Sequence, residues 1–397
     1  MIQNTVAFTS ALFLLVSFGF LSYVVSAPLV IGFTGVMVLY LIFVYFFIRT
    51  RVEIKKNDFL LLFLLALLYL YADFPLFPYS ESGVNIVFLI VITFILFLPL
   101  LVKFKIFGFM QLLVAFSSIA TVLVFILLSF GIEIPHLQFG DGRRYYMLFL
   151  GMSVLSTNFW DFGNIVFFRT NGLLKEPGHF AILCALLLGA DKFRFSKFRN
   201  KAILLGGLFS FSAVFYISLI AGLIVFNLGK RFYKYGLASM GFLLFTLYLI
   251  FTFVPEEVQN RLFHSDENRY SSSESMLDSR AKGEINSIIL EADITTLIFG
   301  NGRGFFREQE EGTSDFRISI ILYGIFGLLI LISVYAFLIL RHKNNQLIIY
   351  FTFIFLLIFA HRAQFVYNPM TVFIFYISYY IHQINLIRSE GVINARS

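Results

Sequence analysis

Ala202–Gly229 reads A-I-L-L-G-G-L-F-S-F-S-A-V-F-Y-I-S-L-I-A-G-L-I-V-F-N-L-G. A bilayer core of about 30 Å takes roughly 20 apolar residues in a helix. At 28 residues this stretch is long for one crossing and short for two. The choice fixes the face of everything after it. With one crossing, Lys230, Arg231, Lys234, Arg341, Lys343, Arg388 and Arg396 fall on the outer side in short segments. With two, turning near Ser210-Phe211-Ser212, those seven return to the cytoplasm, and Arg362 is the basic residue left in a short outer loop. Short cytoplasmic loops collect Lys and Arg, so two crossings are expected.

Outward from this stretch, the chain is 59% hydrophobic and 13% charged over 397 residues. That composition excludes a soluble domain and reads as a polytopic membrane protein. The further expected spans are Val6–Val25, Pro28–Ile48, Phe59–Tyr71, Val84–Val102, Ile106–Phe130, Pro177–Ala190, Tyr235–Val254, Ile318–Leu340, Gln346–Ala360 and Met370–Ile387. Met1–Thr5 holds no basic residue, so Val6–Val25 is read as a retained first span. Basic clusters at Arg49–Lys56, Lys103–Lys105 and Lys192–Lys201 mark cytoplasmic turns and put the N-terminus inside. The net charge of +7 is therefore assigned to loops, not to nucleic acid. Cys184 is the single cysteine, which rules out an internal disulfide.

The expected fold is an all-α membrane bundle of about 12 transmembrane helices, with both termini cytoplasmic. Its parts are helices in 1–130, an outer loop 131–176, helices in 177–254, a long outer loop 255–317, and C-terminal helices in 318–397. The long loop has seven basic against thirteen acidic residues, a net of −6. It would bind anions only through particular Arg residues.

Polar residues crowd two places. Arg169–Phe180 reads R-T-N-G-L-L-K-E-P-G-H-F. Pro177 suits the first position of a helix, and Glu176 lies where the dipole favours an anion. Charge this close to a bilayer usually has a task. The second place begins at Ser279-Arg280, which opens an expected helix Arg280–Ala292. Gly300-Asn301-Gly302-Arg303-Gly304 follows, then Ser314-Asp315, then a span with Gly324-Ile325-Phe326-Gly327. The Gly-rich turn lacks the Lys-Ser/Thr of a phosphate loop.

Arg-x-x-Gly followed by Glu-Pro-Gly at a span's start resembles the O-antigen polymerase and ligase superfamily of Wzy-like polysaccharide polymerases. So does the order Arg280, helix, apolar-Gly-x-Gly turn, Gly-Ile-x-Gly span. The two matches cover the middle and C-terminal third of the chain; the first five spans add only hydropathy. The resemblance implies a GT-C-like bundle with a partly helical periplasmic cap, in the bacterial inner membrane. It implies a glycosyltransferase that acts on undecaprenyl-pyrophosphate-linked oligosaccharides among membrane lipids, alongside a chain-length regulator and a flippase.

Guanidinium groups stay charged and grip phosphate bidentately. Arg169, Arg280 and Arg303 are the pyrophosphate candidates, with Arg280 also stabilising the leaving group's charge. Arg143 and Arg362 are further glycan or headgroup candidates. No cofactor or metal is required if Arg does this work. The acceptor hydroxyl needs a base, and Glu176 and Asp315 are the candidates; each also suits a cap or a solvated loop acid. His179 and His264 are alternatives, and His179 is also placed among the substrate-binding residues. The ligase branch has a His before the span following the Gly turn. Here that region reads T-S-D-F-R-I-S, which favours a polymerase. A transporter is the rival from another class.

Overall fold

The computed structural model describes residues 2–17, 56–72, 84–130, 132–140, 145–149, 153–156, 160–161, 166–167, 171–174, 176–227, 285–302, 305, 316–342 and 344–394. The expected spans Pro28–Ile48 and Tyr235–Val254 lie outside these residues, as do Arg143, Arg169, Arg280, Arg303, Asp315 and His264.

The described chain is predominantly helical. Its helices are α1 (Ile2–Ser17), α2 (Lys56–Ala72), α3 (Val84–Phe97), α4 (Leu100–Ser129), α5 (Pro177–Ala190), α6 (Phe198–Phe209), α7 (Ala213–Asn227), α8 (Ile285–Leu290), α9 (Ile294–Phe299), α10 (Arg317–Leu340), α11 (Asn345–Arg362) and α12 (Pro369–Asn394). A 3-10 turn, Ala363–Tyr367, joins the last two. Leu100–Leu128, Arg317–Leu340 and Asn345–Tyr367 are each long and apolar enough to cross a bilayer. Shorter apolar helices cover Gln3–Ser17, Asp58–Tyr71, Ile86–Phe97, Pro177–Ala190 and Ala213–Phe226. The expected total of about twelve crossings exceeds the three clear spans among the described residues.

The chain divides into two compact units. The first contains Met1–Phe18, Pro28–Phe109 and Ser275–Ser397. Here α10 packs against α2, α9 and α11, while α12 packs against α1 and α3. Its core is aromatic: Tyr335 stacks on Phe355 at 4.6 Å and meets Phe375 edge-on at 5.0 Å. The turn expected at Lys103–Lys105 lies earlier, at Leu98–Pro99. Proline has no N–H to continue a helix, so α3 stops before it and α4 restarts on its carbonyl, which accepts from Val102 N at 2.9 Å. Lys103 is thus inside α4, buried at 4% exposure.

The second unit contains Gly19–Ala27 and Met110–Glu274. The chain breaks at Ser210–Phe211, where Phe211 has φ 47°, and α6 and α7 both pack on α5. Gly207 lies against the Phe215 ring across that turn. α5 ends in a Schellman closure: Phe193 N donates to Leu188 O at 2.8 Å and Lys192 N to Gly189 O at 2.9 Å. Lys192 and Phe193 both have positive φ there, 54° and 51°, and Lys192 takes the position where glycine is usual. Asp191 accepts from Lys197 Nζ at 2.6 and 2.9 Å and from Asn200 Nδ2 at 2.9 Å.

The segment 131–176 departs from the all-α expectation. It holds an antiparallel meander of β1 (His136–Gly140), β2 (Tyr145–Phe149) and β3 (Ser153–Ser156), with His136 opposite Phe149 and Tyr146 opposite Ser156. A second pair, β4 (Trp160–Asp161) and β5 (Val166–Phe167), follows. Phe149 buries beside Val124 of α4, with Phe125, Leu128, Ile134 and Met147 around them. Tyr145 and Tyr146 lie in β2 and Trp160 in β4.

Candidate functional site

α10 is broken one third of the way along. Gly324 has φ 62° and ψ −174°, outside helical values. A break of this kind takes the amide partners away from carbonyls in the preceding turn, and a buried carbonyl without a partner is costly. The Gly-rich turn supplies new partners. Asn301 N donates to Ile321 O at 2.9 Å, and Gly302 N to Leu322 O at 3.0 Å.

Backbone runs against backbone here, which requires glycine on both sides. A Cβ on Gly300 (φ 86°) would lie 2.6 Å from the carbonyl carbon of Leu322 and from Tyr323 N. A Cβ on Gly324 would lie 2.7 Å from Gly300 N. Tyr71 of α2 closes the joint. Its hydroxyl is 2.8 Å from Phe299 O and 3.3 Å from Tyr323 O, and its ring meets Phe326 edge-on at 5.3 Å. Gly300-Asn301-Gly302 and Gly324-Ile325-Phe326-Gly327, separate motifs in the sequence, are thus two halves of one joint. The expected helix Arg280–Ala292 is shorter among the described residues: α8 ends at Leu290, and α9 starts after Asp293, whose carboxylate accepts from Thr296 N at 3.0 Å.

Beside this joint, Phe316 and Phe359 approach to 6.3 Å, so the start of α10 lies next to the end of α11. Arg317 and Arg362 are both at that end. Arg317 is 5% exposed. A guanidinium at a helix N-terminus opposes the dipole. The Tyr323 and Tyr367 rings meet at a tilt, 4.7 Å apart, between α10 and the 3-10 turn. The carbonyls of the 3-10 turn are met by tyrosine hydroxyls: Tyr335 donates to Val366 O at 2.6 Å and Tyr69 to Tyr367 O at 2.9 Å. Asn368 fastens the same corner to α1, donating to Ser17 O at 2.7 Å. Two guanidiniums thus stand at one end of a helix pair, and guanidinium is the side chain that grips phosphate bidentately. Sequence reasoning nominated Arg362 and treated Arg317 as one loop charge among seven. The available signal was its place as the first residue of an apolar span.

In the second unit, Glu176 occupies the N-cap of α5 with extended backbone, and Pro177 is the first helical residue. The Glu176 side chain makes no capping hydrogen bond. Its Oε2 lies 3.5 Å from His179 Nε2 instead. Both side chains are largely buried, at 24% and 12% exposure. A carboxylate paired with an imidazole is an acid–base unit. Gly172, φ 55°, lets the preceding turn close onto the Phe180 ring.

A third polar cluster sits at the other end of α10. Arg341 Nη2 is 3.7 Å from Asp58 Oδ1 and 3.1 Å from the Tyr380 hydroxyl. Tyr376 donates to Asp58 Oδ2 at 3.2 Å, and Lys103 Nζ donates to Tyr376 OH at 2.8 Å and to Leu96 O at 2.6 Å. The Arg341 guanidinium lies over the Tyr379 ring at 4.4 Å. Lys103 and Arg341 were expected as solvated loop charges, yet both are buried and tie α2, α4, α10 and α12 together.

Of the residues nominated from sequence, Glu176 and His179 come together in one unit, and Arg362 lies in the other. Arg143, Arg169, Arg280, Arg303 and Asp315 fall outside the described residues. Among the described residues, no three His, Cys, Asp or Glu side chains gather as a metal site. Comparison of the chain with protein-family models, with curated proteins and with solved structures gave no match.

Proposed function

We propose that this chain is an inner-membrane glycosyltransferase that polymerises undecaprenyl-pyrophosphate-linked oligosaccharide repeat units into a surface polysaccharide. The observation that carries the reading is the joint between Gly300-Asn301-Gly302 and Gly324. The Gly-x-Gly turn and the Gly-Ile-x-Gly span, parts of the second of the two matches, pack backbone to backbone, as parts of one device would.

On this reading about 12 crossings place both termini in the cytoplasm, and 255–317 forms a cap over the outer face. A sugar hydroxyl of the acceptor unit attacks the anomeric carbon of the growing chain. The bond from that carbon to the pyrophosphate oxygen breaks, the pyrophosphate leaves on its lipid, and the hydroxyl proton passes to a carboxylate. Arg169, Arg280 and Arg303 are the groups proposed to hold the leaving charge, and Arg143 to contact glycan; Arg317 and Arg362 are further candidates within the first unit. Glu176, oriented by His179, or Asp315 takes the proton. A chain-length regulator and a flippase act as partners.

A transporter of about this size would place its broken helices near the bilayer midplane. The break at Gly324 is only about 10 Å from the start of α10 at 1.5 Å per residue, closer to one surface. This favours chemistry at the surface.

The test is deletion of the gene, followed by gel separation of the cell's surface glycan. Loss of a polymerase leaves single-unit glycan. Loss of a ligase leaves none attached and lipid-linked polymer accumulating, which would replace this reading with the ligase. Complementation with Arg169→Ala or Arg280→Ala is expected to insert normally and make no long chains. Normal long chains from both variants would overturn the pyrophosphate role.

A further inference from the structure

The helices α8 and α9 belong to a segment read from sequence as an aqueous cap, yet their surface is oily. Leu290 is 84% exposed, Ile294 77% and Phe299 45%. Soluble surfaces carry single exposed apolar residues without consequence, whereas a contiguous patch marks an interface. This patch is contiguous with α10: the Phe299 and Phe326 rings approach to 6.3 Å, and beyond Phe326 the exposed residues Leu329 and Ile332 continue along the span.

α10 also serves as a ruler. From Gly324, where α9 is pinned, to Arg341, where the charged cluster with Asp58 marks the opposite boundary, the helix is about 25 Å long at 1.5 Å per residue. A hydrocarbon core is about 30 Å thick. The joint at Gly300 therefore sits inside the far edge of the core, and Arg317 stands about 10 Å further out. The polar groups of α8–α9 fit this depth. Asp293 and Glu291 are exposed at the bend between the helices, and Thr296 N is occupied by the Asp293 carboxylate, so the exposed backbone start is capped. At an interface such a segment lays its apolar side among acyl chains and turns its polar side to the headgroups.

We infer that α8 and α9 are an interfacial ledge, with Leu290, Ile294, Ile298 and Phe299 inserted among the acyl chains of the leaflet that surrounds the start of α10. The partner is the lipid bilayer itself, recognised by apolar area at a fixed depth. This inference does not depend on the glycosyltransferase reading, since it uses only α10 as a span.

The experiment places a nitroxide at single positions in the full chain, reconstituted in vesicles of phosphatidylethanolamine and phosphatidylglycerol. Cys184 is buried and remains in place. The variants are Leu290→Cys, Ile294→Cys and Ile298→Cys, with Leu329→Cys as the lipid-facing reference and Glu291→Cys as the headgroup reference. Collisional accessibility is read with oxygen, which partitions into lipid, and with a water-soluble nickel chelate. The three ledge positions are expected to match Leu329, with oxygen access high and nickel access low, and the ratio is expected to invert at Glu291. Nickel access at Ile294 and Ile298 equal to that at Glu291 would overturn the inference. So would exclusion of both reagents with cross-linking between copies, because a protein would then cover the patch. Leu290 and Ile294 are so exposed that their replacement disturbs no packing, so the reading does not hinge on a variant that fails to fold.

Discussion

Replacing Asp58 by asparagine removes the carboxylate that faces two buried cations. Asp58 and Arg341 side chains are 6% and 9% exposed, and Lys103 is 4% exposed. At the 3.7 Å separation of Arg341 and Asp58, the attraction is about 4 kcal/mol at the effective dielectric of a protein near its surface. Removing one member of a buried pair costs about 3–5 kcal/mol, because the other charge is left uncompensated. Contact through a single oxygen at that distance puts Asp58→Asn at the lower end, about 3 kcal/mol. This corresponds to a Tm loss on the order of 10 °C. Arg341→Met should cost less, about 1–2 kcal/mol. It leaves one anion and one cation, Asp58 and Lys103, still bridged by the Tyr376 hydroxyl. The assay is thermal unfolding of the purified protein in detergent, at low and high salt. Buried charges are poorly screened, so the difference should persist at high salt. An Arg341→Met loss equal to or greater than that of Asp58→Asn would refute the argument that cations outnumber the anion here.

Three further outcomes follow from the local geometry. Gly324→Ala forces a Cβ against the Ile298 carbonyl at a left-handed φ, costing about 1–3 kcal/mol; limited proteolysis should then cut the α8–α9 segment faster while α11 and α12 stay protected. At the end of α5, burial and then the Arg194 charge push Lys192 down to about 8. The unfolded chain still holds that proton between about 8 and the ordinary lysine value, so stability should rise as pH increases through this window. Tm measured across pH should lose that slope in Lys192→Gln, and Lys192→Gly should gain about 1 kcal/mol by relieving the positive φ. Finally, Glu176→Gln removes no capping bond and weakens the i,i+3 contact with His179, a change worth about 0.5 kcal/mol. If Glu176 is the base, long-chain glycan disappears all the same, and normal chains with an unchanged Tm would leave Asp315 as the base.

What the sequence made legible were features with a side-chain signature. Pro177 does start α5, and the serines at 210 and 212 bracket the break between α6 and α7. Hydropathy located α10 within a residue. It misjudged Lys103, which lies inside α4, because a charge beside an apolar run reads as the end of that run; Arg341 does follow the end of α10, but packed among aromatic rings. Whether such a charge is solvated depends on partners far along the chain, here Asp58, Tyr376 and Tyr380. The helix stop at Leu98–Pro99 was written in Pro99, but the lysines outweighed it in a reading based on charge. The meander over 136–156 was missed because its apolar residues pair across short strands, and none of those runs is long enough to register as a span.

The Gly joint was the hardest to foresee, for a reason that bears on what the protein does. Its bonds are backbone to backbone, from Asn301 and Gly302 to Ile321 and Leu322. The sequence records them only as missing side chains. Those bonds repair the helix that Gly324 breaks, so the break is held open only while the turn stays docked. Asn301 and Gly302 are thereby tied to the same helix that begins with Arg317. That coupling makes Gly324→Ala a test of function as well as of stability. The variant should weaken chain elongation more than an equally destabilising change in the distant Asp58–Arg341 cluster, and equal losses from the two would detach the joint from the chemistry.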